Sequence, residues 1–259
     1  MDWMYALAGL IVGVMVGLTG VGGGSLMAPI LILFFGIAPS TAVGTDLWFA
    51  AITKTVGGAV HHHHKGPDWQ IVRRLAMGSL PAALLTVWVL TQTGGHQIKS
   101  GTVMHVLGVV LILTAVCTIF RNRIHAWATD ARETAIKVHP WQPAATVMAG
   151  VVLGVMVTLT SVGSGALGAA MLLALYPFRL SSRRLVGTDI VHAVPLTFVA
   201  GLGHLWIGNV DFGTLGLLLI GSIPGIVAGS FLANRTSDAV VRPALAAVLC
   251  FAGYRLLMA

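Results

Sequence analysis

Charged side chains are scarce in this sequence: Asp, Glu, Lys and Arg make up 9% of its 259 residues, against about 25% in soluble globular domains. A water-soluble fold is excluded on that ground. Cysteine is nearly absent. Its two copies, Cys117 and Cys250, lie in apolar runs with no CxxC spacing, so neither a disulfide framework nor a thiolate metal site is indicated. They read as small packing residues. Acidic residues number 8 against 15 basic ones, for a net charge of +7. In a soluble chain that excess would suggest nucleic acid as a partner; in a membrane chain Lys and Arg report orientation instead. No cleavable signal peptide is read, because Met1 to Tyr5 carries Asp2 and no basic stretch. A Walker-type GxxxxGKS, an HExxH and a persuasive GxSxG elbow are all missing. Intrinsic ATP hydrolysis, zinc proteolysis and serine hydrolysis therefore have no motif to rest on, and no cofactor or metal is implied.

What the chain has in quantity is apolar length. Hydrophobic residues make up 56% of it and the mean hydropathy is +0.90, which marks an integral membrane protein. One polar stretch stands out, Arg121 to Gln142, and it is too short to be a soluble domain.

The apolar text is written twice. Thr19-Gly20-Val21-Gly22-Gly23-Gly24-Ser25 interrupts the first apolar block, and Thr160-Ser161-Val162-Gly163-Ser164-Gly165-Ala166 interrupts a later one. Between Ala8–Leu26 and Ala149–Leu167, offset by 141, 12 of 19 positions are identical. At an offset of 143, Gly44-Thr45-Asp46 matches Gly187-Thr188-Asp189, His61 matches His204, Asp68 matches Asp211, and Gly78-Ser79 with Pro81 matches Gly221-Ser222 with Pro224. The chain thus divides into a first membrane repeat (1–120), a cytoplasmic linker (121–142) and a second membrane repeat (143–259). The expected fold is all-α, each repeat a glycine-broken hairpin followed by three transmembrane helices. The broken segment is either re-entrant or a pair of short crossing helices, since the glycine cluster cuts the first block, Tyr5 to Ile37, into pieces of roughly 15 and 12 residues, short for a full span.

Basic residues relate the halves. If each broken segment returns to its own side, one face receives Lys65, Arg73, Arg74, Arg121, Arg123, Arg132, Lys137, Arg179, Arg183, Arg184, Arg235 and Arg242, and the other only Lys99 and Arg255. That bias predicts two inverted-topology repeats, with both termini outside and the linker inside.

Glycine breaks at matching places in two such repeats point to a transporter's binding site, where unwound backbone frees amides at depth. Each break ends at a helix N-terminus, which suits an anion. The expected lining is Thr19, Gly20, Gly22, Gly23, Gly24 and Ser25 from the first half, and Thr160, Ser161, Gly163, Ser164 and Gly165 from the second. Gly9, Gly13 and Gly17 read as helix-packing residues. Lys54 lies inside an apolar span, where a charge is costly. It either balances a substrate anion or pairs with Asp46 about two turns earlier. Asp46 and Asp189 are read as beginning their helices, where they cap or, with His192, handle a coupling proton or cation. The tract His61-His62-His63-His64-Lys65 is read as a basic helix end and not as a metal site.

The segment HLWIGNVDFGTLGLLLIGSIPGIVAGSF at His204–Phe231, with GLTGVGGGSLMAPIL at Gly17–Leu31 and its repeat, resembles the TauE/SafE sulfite exporter family, also called the sulfonate uptake permease family. The resemblance spans both halves. It implies a secondary transporter of the bacterial inner membrane. The cargo would be sulfite, thiosulfate or an organosulfonate, moved by alternating access with coupling to an ion or proton gradient. It implies no enzymatic activity. An uncoupled anion facilitator is the alternative. Lys54 and Asp46 depart from the family's pattern, and Lys54 suits a dianion or a bulkier sulfonate.

Overall fold

A computed structural model describes residues 2–19, 26–60, 66–92, 100–133, 141–233, 236 and 238–259. These form helices α1 (Asp2–Thr19), α2 (Met27–Leu33), α3 (Pro39–Val60), α4 (Trp69–Gln92), α5 (Ser100–Glu133), α6 (Gln142–Thr160), α7 (Ala166–Leu175), α8 (Ser182–Ile207), α9 (Phe212–Ala233) and α10 (Asp238–Leu257). Among the described residues five helices are long and apolar enough to cross a membrane. The protein is a multi-pass membrane protein. Large apolar side chains such as Trp88, Trp206 and Phe231 are exposed on its outer surface, as a chain solvated by lipid requires.

Helix α3 is not among those five, although it has 22 residues. Its polar residues explain why: Thr45, Asp46, Thr53 and Lys54 are all buried inside the protein. Helix α6, at 19 residues, is long enough to span, whereas α7 has only 10. In the first half neither piece of the broken segment, α1 or the 7-residue α2, is among the five, whereas in the second half α6 alone is. Helix α5 continues to Glu133, past the expected end at Phe120. Arg121 and Arg123 close the apolar run there without ending the helix, because arginine is a good helix former.

Helix contacts in one half reappear in the other with the partners exchanged. α1 packs on α9 and α6 on α4, while α3 meets α8 and α5 meets α10. A Cβ at Gly9 would lie 2.1 Å from the Leu218 carbonyl, and at Gly13 2.4 Å from that of Ser222. Their counterparts Gly150 and Gly154 would stand 2.3 and 2.4 Å from the carbonyls of Leu75 and Ser79. Only glycine lets these backbones approach so closely, which satisfies the packing reading of Gly9, Gly13 and Gly17. The hydroxyl of Thr45 accepts from the Asp211 amide at 3.0 Å, and that of Thr188 from the Asp68 amide at 3.0 Å. The equivalent helices α3 and α8 run antiparallel. Gly44 lies against Asn209, the Trp48 ring nitrogen donates to the Gly201 carbonyl, and Gly58 faces Ile190.

Candidate substrate site

The second break is built by left-handed backbone. Helix α6 ends where Ser161 adopts φ 60, and Gly163 follows at φ 123. Glycine suits the second position because an L side chain would be strained there. The Thr160 hydroxyl steadies the corner, donating to the Met156 carbonyl at 2.7 Å and accepting from the Val162 amide at 3.2 Å. After Gly165, α7 begins. The Gly168 amide turns back to the Gly163 carbonyl and the Ala169 amide to that of Gly165. The amides of Ala166 and Leu167 find no acceptor among the described residues. They are the orphan donors of a helix start.

Lys54, only 4% exposed, reaches this break from α3 in the other half. Its ammonium donates to the Ser164 hydroxyl at 2.7 Å and to the Ser164 carbonyl. It makes no ion pair with Asp46, so the pairing alternative is replaced by a contact between halves. Asp46 and Asp189 do not begin their helices either, because α3 starts at Pro39 and α8 at Ser182. Both carboxylates lie about two turns in and are fully buried. Asp46 does cap a helix, though not its own: its Oδ2 accepts from the Ala28 amide, 3.2 Å away in the first turn of α2.

The remaining groups gather around these. The Ser161 hydroxyl lies beside the Asp46 carboxylate without hydrogen-bond geometry between them. Asp189 faces the start of α7, where a Cβ at Gly168 would be 2.8 Å from its Oδ1. His192 shares a hydrogen bond of 2.8 Å with Ser79 of α4. Asp46 and Asp189 both lie within electrostatic reach of Lys54, as does His192. Among the described residues, Asp46 Oδ1, Asp189 Oδ2, Ser161 Oγ and His192 Nδ1 are buried with no hydrogen-bond partner. The fold thus brings together Lys54, Asp46, Ser161, Ser164, Asp189 and His192. Thr160 and Thr19 serve their own helices, Thr19 by donating to Met15 at 2.8 Å. Gly20, Gly22, Gly23, Gly24 and Ser25 lie outside the described residues, as does the His61–Lys65 tract.

Two features escaped the sequence reading. Ser79 was legible only as half of the repeated Gly78-Ser79 and Gly221-Ser222 pair, with nothing to name His192 as its partner. His204, marked only by its match to His61, has its Nε2 2.9 Å from the Thr158 carbonyl. A carbonyl accepts and cannot donate, so Nε2 carries the proton. His204 also lines a cavity of about 160 Å³ with Ser40, Val43, Thr102, Leu159 and Asn209.

At the opposite ends of α3 and α8 the halves are tied by charge. Asp68 receives two hydrogen bonds from Arg179, at 2.6 and 2.9 Å, and Arg184 stands 3.5 Å away. Arg179 also donates to Gln70, and Arg74 to the Tyr176 hydroxyl. Burial pushes the Asp68 carboxyl up, but the hydrogen bonds from Arg179 and the Ile71 amide, with the two guanidinium charges, hold it below the usual range. Its repeat counterpart, Asp211, is held low by its hydrogen bonds from Thr214.

Comparison with known proteins bears on what this cluster serves. A family model described as Sulfite exporter TauE/SafE matches residues 5–256. The chain is similar to the probable membrane transporter protein YjnA of Bacillus subtilis, 39% identical over 259 residues that cover 97% of this chain and 98% of that one. It is also 26% identical over 259 residues to the probable membrane transporter protein YdhB of the same organism, covering 98% of this chain and 99% of the other. A probable membrane transporter protein of Methanocaldococcus jannaschii is 26% identical over 273 residues, covering 98% and 95%. No solved structure matches.

Proposed function

Because the chain belongs to the TauE/SafE sulfite exporter family, whose members are membrane transporters and not enzymes, we propose that it carries a small sulfur-containing oxyanion across the bacterial inner membrane. Sulfite, thiosulfate and organosulfonates are the substrate class. The observation that carries this reading is Lys54, a buried ammonium donated from one half to the glycine break of the other, at Ser164. Beside it the Ala166 and Leu167 amides stand without acceptors at the start of α7. An anion held there would meet a full positive charge, two amide donors and the positive end of a helix dipole. Thr19 and the glycines Gly20 to Gly24, with Ser25, would supply the first half's part of the lining.

Transport by alternating access fits the exchanged packing. Equivalent helices α3 and α8 run antiparallel, and each half lends its glycine-bearing helix to the other's long one, which supports inverted repeats. With that topology the basic bias places both termini outside. Asp46, Asp189 and His192 are the coupling groups. Their burial beside Lys54 favours coupled movement over passive leak, because unpaired carboxylates at depth must take up a cation.

The test is flux into proteoliposomes. Wild-type protein should take up sulfite, thiosulfate or a small sulfonate saturably. Lys54→Met, which keeps the stem and loses the charge, should abolish uptake while the protein stays folded and monodisperse. Equal uptake by that variant would remove the assigned role of Lys54, and indifference to every sulfur anion in the set would remove the substrate class.

A further inference from the structure

Charge is matched at depth and unmatched at one end of the molecule. Around the glycine break, Lys54 and Arg121 lie within electrostatic reach of Asp189, and Lys54 within reach of Asp46 as well, so two cations meet two carboxylates. Where α4 and α8 begin, the count differs. Arg74, Arg179 and Arg184 bring three positive charges there and Asp68 one negative, which leaves two positive charges over among the described residues.

These groups form one cluster between the halves. Arg179 and Arg184 approach the same oxygen of Asp68, at 2.6 and 3.5 Å. Arg179 also lies over the Tyr176 ring, 5.8 Å from its centre, and Arg74 donates to the Tyr176 hydroxyl at 3.2 Å. Guanidinium groups drawn this close repel unless an anion stands among them. Asp68 is committed mainly to Arg179, from which it accepts two hydrogen bonds. The Arg184 guanidinium has its 3.5 Å contact and Arg74 a neutral hydroxyl, so most of their N–H donors have no protein acceptor among the described residues.

The duplicated scaffold does not require these arginines. At an offset of 143, Asp68 recurs as Asp211, yet Arg74, Arg179 and Arg184 answer to Leu217, Gly36 and Thr41. Among the described residues Asp211 accepts from Thr214 and from no arginine. Membrane orientation calls for basic residues on one side, but not for three that meet on one carboxylate and one tyrosine from two halves. The cluster is also open to solution and joined to the interior. The side chains of Arg179 and Arg184 are 40% and 42% exposed. Asp68, 2% exposed, has its amide held at 3.0 Å by the hydroxyl of Thr188, the residue before Asp189.

We propose that Arg184, Arg179 and Arg74 form a second anion site, where a sulfur-containing dianion such as thiosulfate docks on its way to or from Lys54. Two negative charges neutralise the surplus, whereas a monoanion only halves it. Guanidinium forks match the paired oxygens of such an anion. Asp68 is the fixed counter-ion that keeps the arginines together between anions. This inference rests on the transport reading and adds a station to the anion's route.

The experiment is equilibrium binding of radiolabelled thiosulfate to the purified full chain in neutral detergent at low ionic strength. Wild type should bind two per chain, Lys54→Met one, Arg184→Gln one, and the double variant none. Arg74→Gln in the Lys54→Met background should weaken the remaining site. Sulfate should compete there about tenfold better than methanesulfonate, which carries a single charge. No thiosulfate on Lys54→Met, with one still bound by wild type, overturns the inference and leaves the Lys54 site standing. Binding to Lys54→Met that Arg184→Gln leaves unchanged, or equal competition by methanesulfonate, also overturns it. One thiosulfate on both wild type and Lys54→Met, lost in Arg184→Gln, keeps this site and removes the role of Lys54. A lipid phosphate is the other oxyanion such arginines attract. Lys54→Met is therefore compared in phosphatidylcholine and phosphatidylglycerol nanodiscs, with Arg184→Gln as the control for repulsion by the anionic surface. Equal relative binding supports the soluble anion, and selective loss in phosphatidylglycerol overturns the inference in favour of a headgroup.

Discussion

Ser79 and His192 show how much a single hydroxyl does in the core. Both are buried, and their 2.8 Å hydrogen bond satisfies one ring nitrogen of a histidine whose other nitrogen has no partner among the described residues. Ser79→Ala should leave the imidazole wholly unpaired and cost about 1–3 kcal/mol of stability, read as a lowered unfolding midpoint. The matching change in the second half, Ser222→Ala, should cost little. Ser222 has no partner among the described residues, and the position equivalent to His192 is Phe49. A similar loss in both variants would mean that the imidazole contact is not what stabilises Ser79.

Between elements, stability depends on backbones that touch. A Cβ at Gly13 would lie 2.4 Å from the Ser222 carbonyl, and one at Gly154 equally close to that of Ser79. A methyl group at either position must push α1 from α9, or α6 from α4. Gly13→Ala and Gly154→Ala should each destabilise by about 1–3 kcal/mol, the usual cost of overpacking. By contrast Gly216, in the same helix as Ser222, faces open space, so Gly216→Ala should be neutral or slightly stabilising by helix propensity. Thermal unfolding of the three variants side by side checks the contrast.

Across the whole molecule the two ends of the α3 and α8 pair are built differently. One end is shut by Asp68, Arg179 and Arg184; the other holds the cavity lined by Ser40 and His204. Asp211 repeats Asp68, but no arginine repeats Arg179: Gly36 and Ala38 stand at the corresponding offsets. In a background lacking Cys117 and Cys250, Ser40→Cys should therefore react with a polar maleimide. Leu180→Cys should react only when Asp68→Asn has loosened the charged end. The same ion pair sets a pH dependence. The folded-state pKa of Asp68 is depressed, so its contribution is present above the unfolded value of about 3.9 and is lost as pH falls below it. Arg179 is 40% exposed, so the effect is modest. Wild type should lose more stability than Asp68→Asn between pH 5 and 3, each pH value being approximate.

The duplication, the membrane class and the helix count per half were legible in the residues themselves, because repeated glycine and GTD motifs and apolar run length are local properties. Sequence also singled out Lys54, Asp46, Asp189 and His192, since an ionisable group in an apolar span is conspicuous wherever it points. What it did not contain was their partners. For Lys54 the sequence offers a substrate anion or Asp46, eight residues away, and cannot show that it reaches Ser164 across 110 residues. Where sequence lets Asp46 cap its own helix or serve coupling, the fold has it accept from the first turn of α2. Such contacts depend on how two helices from different halves lie side by side. That is decided by the close approach of glycine backbones and the direction of each helix, quantities that only the folded chain possesses.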